Sequence, residues 1–144
     1  MTLKEYIETL NIGVEQFYEI ANESINAGGI ELEAQLKNRI FNENVDILGA
    51  DFGGYSEAYK AFRLKVGRDA TNKNLQLTDR MRLGIKYYEE DLSIKFQDEK
   101  DAIKGRSAEI YQKQRIFEAS EEEATLALDT IDLVFNERVN EQFE

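Results

Sequence analysis

Leu3, Tyr6, Ile7, Leu10, Val14, Phe17, Tyr18, Ala21 and Ile25 recur at spacings of three and four residues. A helix of 3.6 residues per turn brings such a set onto one stripe. Thr2, with Glu5 three residues on, forms a capping-box pattern at its start. A second stripe closes the chain: Ala124, Leu128, Ile131, Val134, Phe135 and Val139, reaching Phe143. Ser120 and Glu123 repeat the capping pattern there, and Glu121 and Glu122 suit the positive end of the helix dipole. Two amphipathic helices therefore frame whatever lies between them.

The glycine pair in Asn26-Ala27-Gly28-Gly29 reads as a stop for the first helix, because glycine takes the left-handed C-cap conformation readily. A second helix is expected from about Glu31 to Asn42, with Leu32, Leu36, Ile40 and Phe41 as its apolar side. Residues 44–74 show poor periodicity and hold Gly49, Gly53, Gly54 and Gly67, so a long central loop is expected. Within it, Ser56 suits the cap of a short helix running to about Lys65. Leu77-Thr78-Asp79 reads as the end of an extended piece and the cap of a short helix through Gly84. Ile85, Tyr87, Leu92, Ile94 and Phe96 then alternate with polar residues across a short connection, which predicts an antiparallel hairpin. A helix is expected within residues 101–114, with Gly105 moving its start toward Ser107. Residues 115–119 read as an apolar connector or a short strand. The order predicts a single α+β domain over residues 1–144. It has a helical N-terminal part (1–43), a long loop (44–74) and a part containing the hairpin and further helices (75–144), with a small antiparallel sheet packed by the N- and C-terminal helices.

Composition narrows the chemistry. The 144 residues suit one domain. With no histidine and no cysteine, the commonest general base and metal ligand is missing, and so are disulfides, thiolate sites and cysteine nucleophiles. Glu89-Glu90-Asp91 and Asp98-Glu99-Asp101 lack the spaced ladder of a calcium loop, and Gly49, Gly53 and Gly54 are not followed by the Lys-Ser/Thr of a phosphate loop. No catalytic residue, metal or cofactor is expected. No apolar run approaches the ~20 residues of a membrane span, and the first ten residues lack the apolar region of a signal peptide.

The net charge of −11 is unevenly distributed. Residues 1–59 carry three basic and eleven acidic side chains, and residues 118–144 carry one and nine. Residues 60–86 carry eight basic and two acidic, a local +6. A basic centre between acidic ends suits charge-complementary contact between neighbouring copies. It equally suits a basic segment folded back on acids of its own chain. The acidic flanks oppose nucleic-acid binding by the basic residues, although Tyr59 and Phe62 stand among them.

Three stretches resemble the tail-completion or head–tail joining proteins of tailed bacteriophages, also called virion morphogenesis proteins or minor tail components. In residues 41–68 an Asp-x-x-Gly turn, Asp46 to Gly49, precedes Phe52, Tyr55, Ser56 and Tyr59 and a basic helix with Arg63 and Arg68. Residues 75–85 are similar to a Leu-Thr-Gly-x-Leu-x-x-Ser-Ile signature, with Asp79 in place of its Gly and Gly84 in place of its Ser. Residues 108–139 resemble the closing helix, an Arg-x-Phe connector at Arg115-Ile116-Phe117 and an acid-capped terminal helix. A proline-rich connector and a tryptophan common in the family are absent. The resemblance implies a non-enzymatic ring subunit at the neck of a virion, assembled in the host cytoplasm and touching connector or tail proteins. Candidate interface residues are Phe52, Tyr55, Tyr59, Arg63, Arg68, Arg80 and Arg82. An acidic regulatory binder, such as a nucleic-acid mimic or a host-enzyme inhibitor, is the alternative; a carboxylate hydrolase is a third.

Overall fold

The computed structural model describes residues 1–68 and 80–143, apart from the side chains of residues 9–12, 111 and 143. The expected cap at Leu77-Thr78-Asp79 lies outside them. The fold is a small α+β arrangement of five α-helices, one π-helical turn and one two-stranded antiparallel sheet among the described residues.

Helix α1 covers Leu3–Lys37, which is 35 residues or about 52 Å at 1.5 Å per residue. Its capping box is formed as expected, with the Thr2 hydroxyl accepting from the Glu5 amide and the Glu5 carboxylate accepting from the Thr2 amide. The expected stop at residues 26–29 is wrong, and the two expected helices are one. Packing gives the reason. A Cβ on Gly28 would stand 2.4 Å from Ile131 Cγ1, and one on Gly29 would stand 2.3 Å from the Tyr87 ring. These glycines let two other elements approach the α1 backbone, so they act by their lack of a side chain.

A π-helical turn, Asn38–Glu43, continues α1 and ends at Asn44 in the left-handed conformation (φ 59°). The turn buries Arg39, Ile40 and Phe41 in succession. The Asp46–Gly49 turn seen in the sequence is tied by its aspartate: Asp46 Oδ1 accepts from the amides of Leu48 and Ala50, and Oδ2 from the Gln114 side chain. Helix α2, Glu57–Lys65, is capped by the Ser56 hydroxyl on the Tyr59 amide. It ends in a Schellman arrangement, with Gly67 at φ 77°, its amide donating to the Leu64 carbonyl and the Arg68 amide donating to that of Arg63. Residues 44–68 of the segment expected to be a long loop thus hold an aspartate-tied turn and the short helix expected from Ser56.

Helix α3, Arg80–Gly84, leads into β1, Ile85–Tyr88, which pairs with β2, Ser93–Phe96. This is the expected hairpin, in the register Ile85 to Phe96 and Tyr87 to Ile94. Helix α4 runs Glu99–Gln112, capped by Asp98 on the Lys100 amide, and does not wait for Ser107. Gly105 sits inside it because a Cβ there would press on the rings of Phe96 at 3.0 Å and Phe117 at 3.2 Å. Residues 115–119 are a connector, not a strand. Helix α5, Glu121–Phe143, starts at the expected Ser120–Glu123 capping box.

The core gathers Leu36, Ile40, Phe41, Phe52, Ile85 and Ile116, with Met81, Ile94, Phe96 and Phe117 packed around it. Helices α1 and α5 run antiparallel: Arg39 meets Glu123, Gly28 meets Ile131, and Glu23 meets Arg138. Of the expected α5 stripe, Ala124, Ile131, Val134, Phe135 and Val139 are half-buried, Leu128 is exposed, and Ala127 is the residue buried against α1.

Candidate interaction surface

The seven interface residues expected from the sequence do not form one patch. Phe52 is part of the core. Tyr55 and Tyr59 pack edge to face at 5.1 Å between ring centroids, and Tyr59 stacks on Phe62 at 5.9 Å. The Arg63 guanidinium lies 4.7 Å over the Tyr55 ring, and the whole residue is only 1% exposed. Arg63 is therefore an internal cation held against aromatic faces. Arg68 contributes its backbone to the end of α2 and is half-buried.

Arg80 is committed to its own chain as well. Its Nη2 meets Asp98 Oδ2 at 2.5 Å and its Nε meets the buried Asp101 at 3.3 Å. The Lys100 amide, together with Arg80, holds the Asp98 carboxyl below the usual carboxylate range. Arg82 is half-buried, and its Nε has no hydrogen-bond partner among the described residues. Part of the basic segment thus folds onto acids at the start of α4, away from the two acidic terminal helices. Phe62, Leu64 and Val66 are exposed around α2 as well, beside the charged Glu57 and Lys65.

A larger open surface lies elsewhere. The register of α1 on α5 places the last turn of α5 beside the middle of the first half of α1. The first three turns of α1 extend beyond it. There the stripe seen in the sequence is uncovered, with Leu3 74% exposed and Tyr6 and Ile7 about half exposed; Val14 and Tyr18 in the next two turns are half and 70% exposed. The expected inward packing fails at this end because the α1 helix outlasts its partner by twelve residues, 35 against 23.

On the other half of α1 an apolar groove of about 600 Å³ opens between α1, α5 and the hairpin. Ile25, Leu32 and Leu36 form its floor, Ala127 and Ile131 one wall, and Tyr87 and Ile94 the other. Tyr87 is fixed at three points. Its hydroxyl donates to Asn26 Oδ1 at 2.9 Å, its amide donates to Glu33 Oε2 at 3.0 Å, and its ring lies over Gly29. Burial pushes the Glu33 carboxyl up, but the Lys37 ammonium and the Tyr87 amide outweigh that effect and hold it below the ordinary value. Burial pushes the Tyr87 hydroxyl up.

Among the described residues no group of three or more acidic side chains is placed to hold a metal ion, and no helix is long and apolar enough to cross a membrane. No protein-family model, curated protein or solved structure matches this chain. The overhanging stripe of α1 and the groove were missed in the sequence. Their signal was present in the unbroken apolar spacing from Leu3 through Leu36, which is longer than the closing stripe can cover.

Proposed function

We propose that this chain is a virion structural protein of tailed bacteriophages, a neck or tail-completion subunit that joins the tail to the head connector as part of a homo-oligomeric ring. The observation that carries this reading is the uncovered apolar stripe at the start of α1. Exposed apolar surface of this extent, on a capped helix that runs beyond its partner, marks contact with another chain. The three stretches that resemble tail-completion proteins support the specific setting, and the Asp46 turn and the Ser56-capped helix lie in the first of them. A heterologous contact, one face of each copy against a different face of the next, closes into a ring when the rotation allows. The protein's role would then be mechanical, with no reacting group and no cofactor.

The test is deletion of the gene from the phage that encodes it. Filled heads and finished tails should accumulate separately in infected cells, and supplying the chain in trans should restore joined particles. Joined, infectious particles in the deletion strain would overturn the proposal.

A further inference from the structure

We infer that the first three turns of α1 are an assembly arm that docks into the α1–α5–hairpin groove of a second copy of this chain. The inference rests on the reading of the chain as a self-assembling subunit, and it names the contact.

Four observations carry it. The arm and the floor of the groove belong to one continuous helix, so an arm cannot fold back into its own groove. Their lengths agree: Leu3 to Val14 and Ile25 to Leu36 are twelve residues each, eleven steps or about 16 Å of helix. An amphipathic helix laid in an apolar groove uses anchors at this spacing, and Leu3, Tyr6, Ile7 and Val14 supply them.

The lips of the groove are the third observation. Leu92 and Leu128 stand 58% and 62% exposed on opposite sides of the opening. Leu92 sits at the hairpin turn with φ 49°, a conformation that glycine or asparagine adopts at less cost. A branched apolar side chain held there against that preference fits a role in contact with something apolar. The fourth observation is area. Those four partly exposed side chains offer on the order of 400 Å² from the arm, about half of what one partner brings to a stable interface. A copy that gives one arm and receives another engages two such contacts.

The chain has no cysteine, which makes cross-linking clean. Ile7→Cys and Leu128→Cys both alter exposed positions and should leave the thermal unfolding midpoint of the chain within a few degrees of the parent. Mixed and mildly oxidised, they should form a disulfide-linked heterodimer as the main cross-linked product, with little product from either variant alone. Light scattering should show a multimer for the parent chain and a shift to monomer for Ile7→Glu. A multimeric parent with no Ile7→Cys to Leu128→Cys cross-link would overturn the arm while leaving self-assembly standing. Cross-linking of Ile7→Cys with itself would mean that arms pair with each other, and would overturn it too. A parent that stays monomeric at high concentration, as expected if another protein's helix fills the groove, would overturn both the arm and the self-assembling subunit.

Discussion

The Arg39 guanidinium and the Glu123 carboxylate, 84 residues apart in the chain, meet at 2.5 Å with both side chains more than nine-tenths buried. Arg39 also donates to the carbonyls of Val45, Ile116 and Glu118, and Glu123 accepts from the Ser120 amide. One side chain thus ties the π-helical turn to the Asp46 loop, the connector and the start of α5. The groove depends on this clamp, because it sets where α5 begins against α1.

Removing one member of a buried ion pair strands the other, at a cost of about 3–5 kcal/mol. Arg39→Met and Glu123→Leu should each destabilise the chain by that order in denaturant unfolding. The double variant should cost less than the two single costs combined, because no charge is left stranded. Full additivity would show that the pair is not coupled.

The glycines of α1 give a test by sign. In an open helical position, alanine is favoured over glycine by roughly 0.5–1 kcal/mol. Gly13 has nothing within 4 Å of an added Cβ, so Gly13→Ala should raise the unfolding midpoint. Gly28→Ala and Gly29→Ala should lower it, by about 1–3 kcal/mol each, because the added methyl meets Ile131 or the Tyr87 ring. Stabilisation by either of the last two would contradict the close packing of the hairpin and α5 on α1.

Those same glycines show how far the sequence could be read. Both end capping boxes, the hairpin and the Ser56 cap were legible because each depends on neighbours within a few residues. Gly28 and Gly29 were not, since a glycine that ends a helix and one that admits a neighbouring ring look alike in sequence. The mistaken stop gave α1 a length close to that of α5 and so hid the overhang. The site suffered from the same limit. Tyr55, just before the Ser56 cap, does assemble with Tyr59 and Arg63 of α2, but only tertiary packing decides that Arg63 is turned inward.

Arg63 and Arg80 should therefore respond differently to replacement. Arg63→Ala loses a desolvated cation–aromatic contact of about 2 kcal/mol and should weaken folding of the isolated chain. Arg80→Ala removes the exposed pair with Asp98, worth about 1 kcal/mol or less, and leaves the buried Asp101 with Lys104 at 3.8 Å, so its cost should shrink as salt is added, whereas that of Arg63→Ala should not. Circular dichroism during thermal unfolding separates the two. Equal effects would place Arg63 outside the aromatic cluster.

Glu33 predicts a pH effect. Its carboxyl is held below the ordinary value of 4.5 in the folded chain, so the unfolded chain takes up the proton first as the pH falls. The stability that Glu33 contributes is complete above that value and is lost as the pH drops through the lower folded value. Glu33→Gln should cost about 1 kcal/mol at neutral pH. It should also flatten the acid side of the stability curve. An unchanged slope below pH 4.5 would show that the Lys37 and Tyr87 contacts do not favour the carboxylate.

Quantitative mass spectrometry of purified particles, from the phage proposed to encode this chain, tests the proposed virion role most directly. The chain should be present at a low, fixed copy number close to that of the portal, as a neck or tail ring requires. Its absence from particles, with clear expression in infected cells, would contradict a virion role and bring the acidic regulatory binder forward.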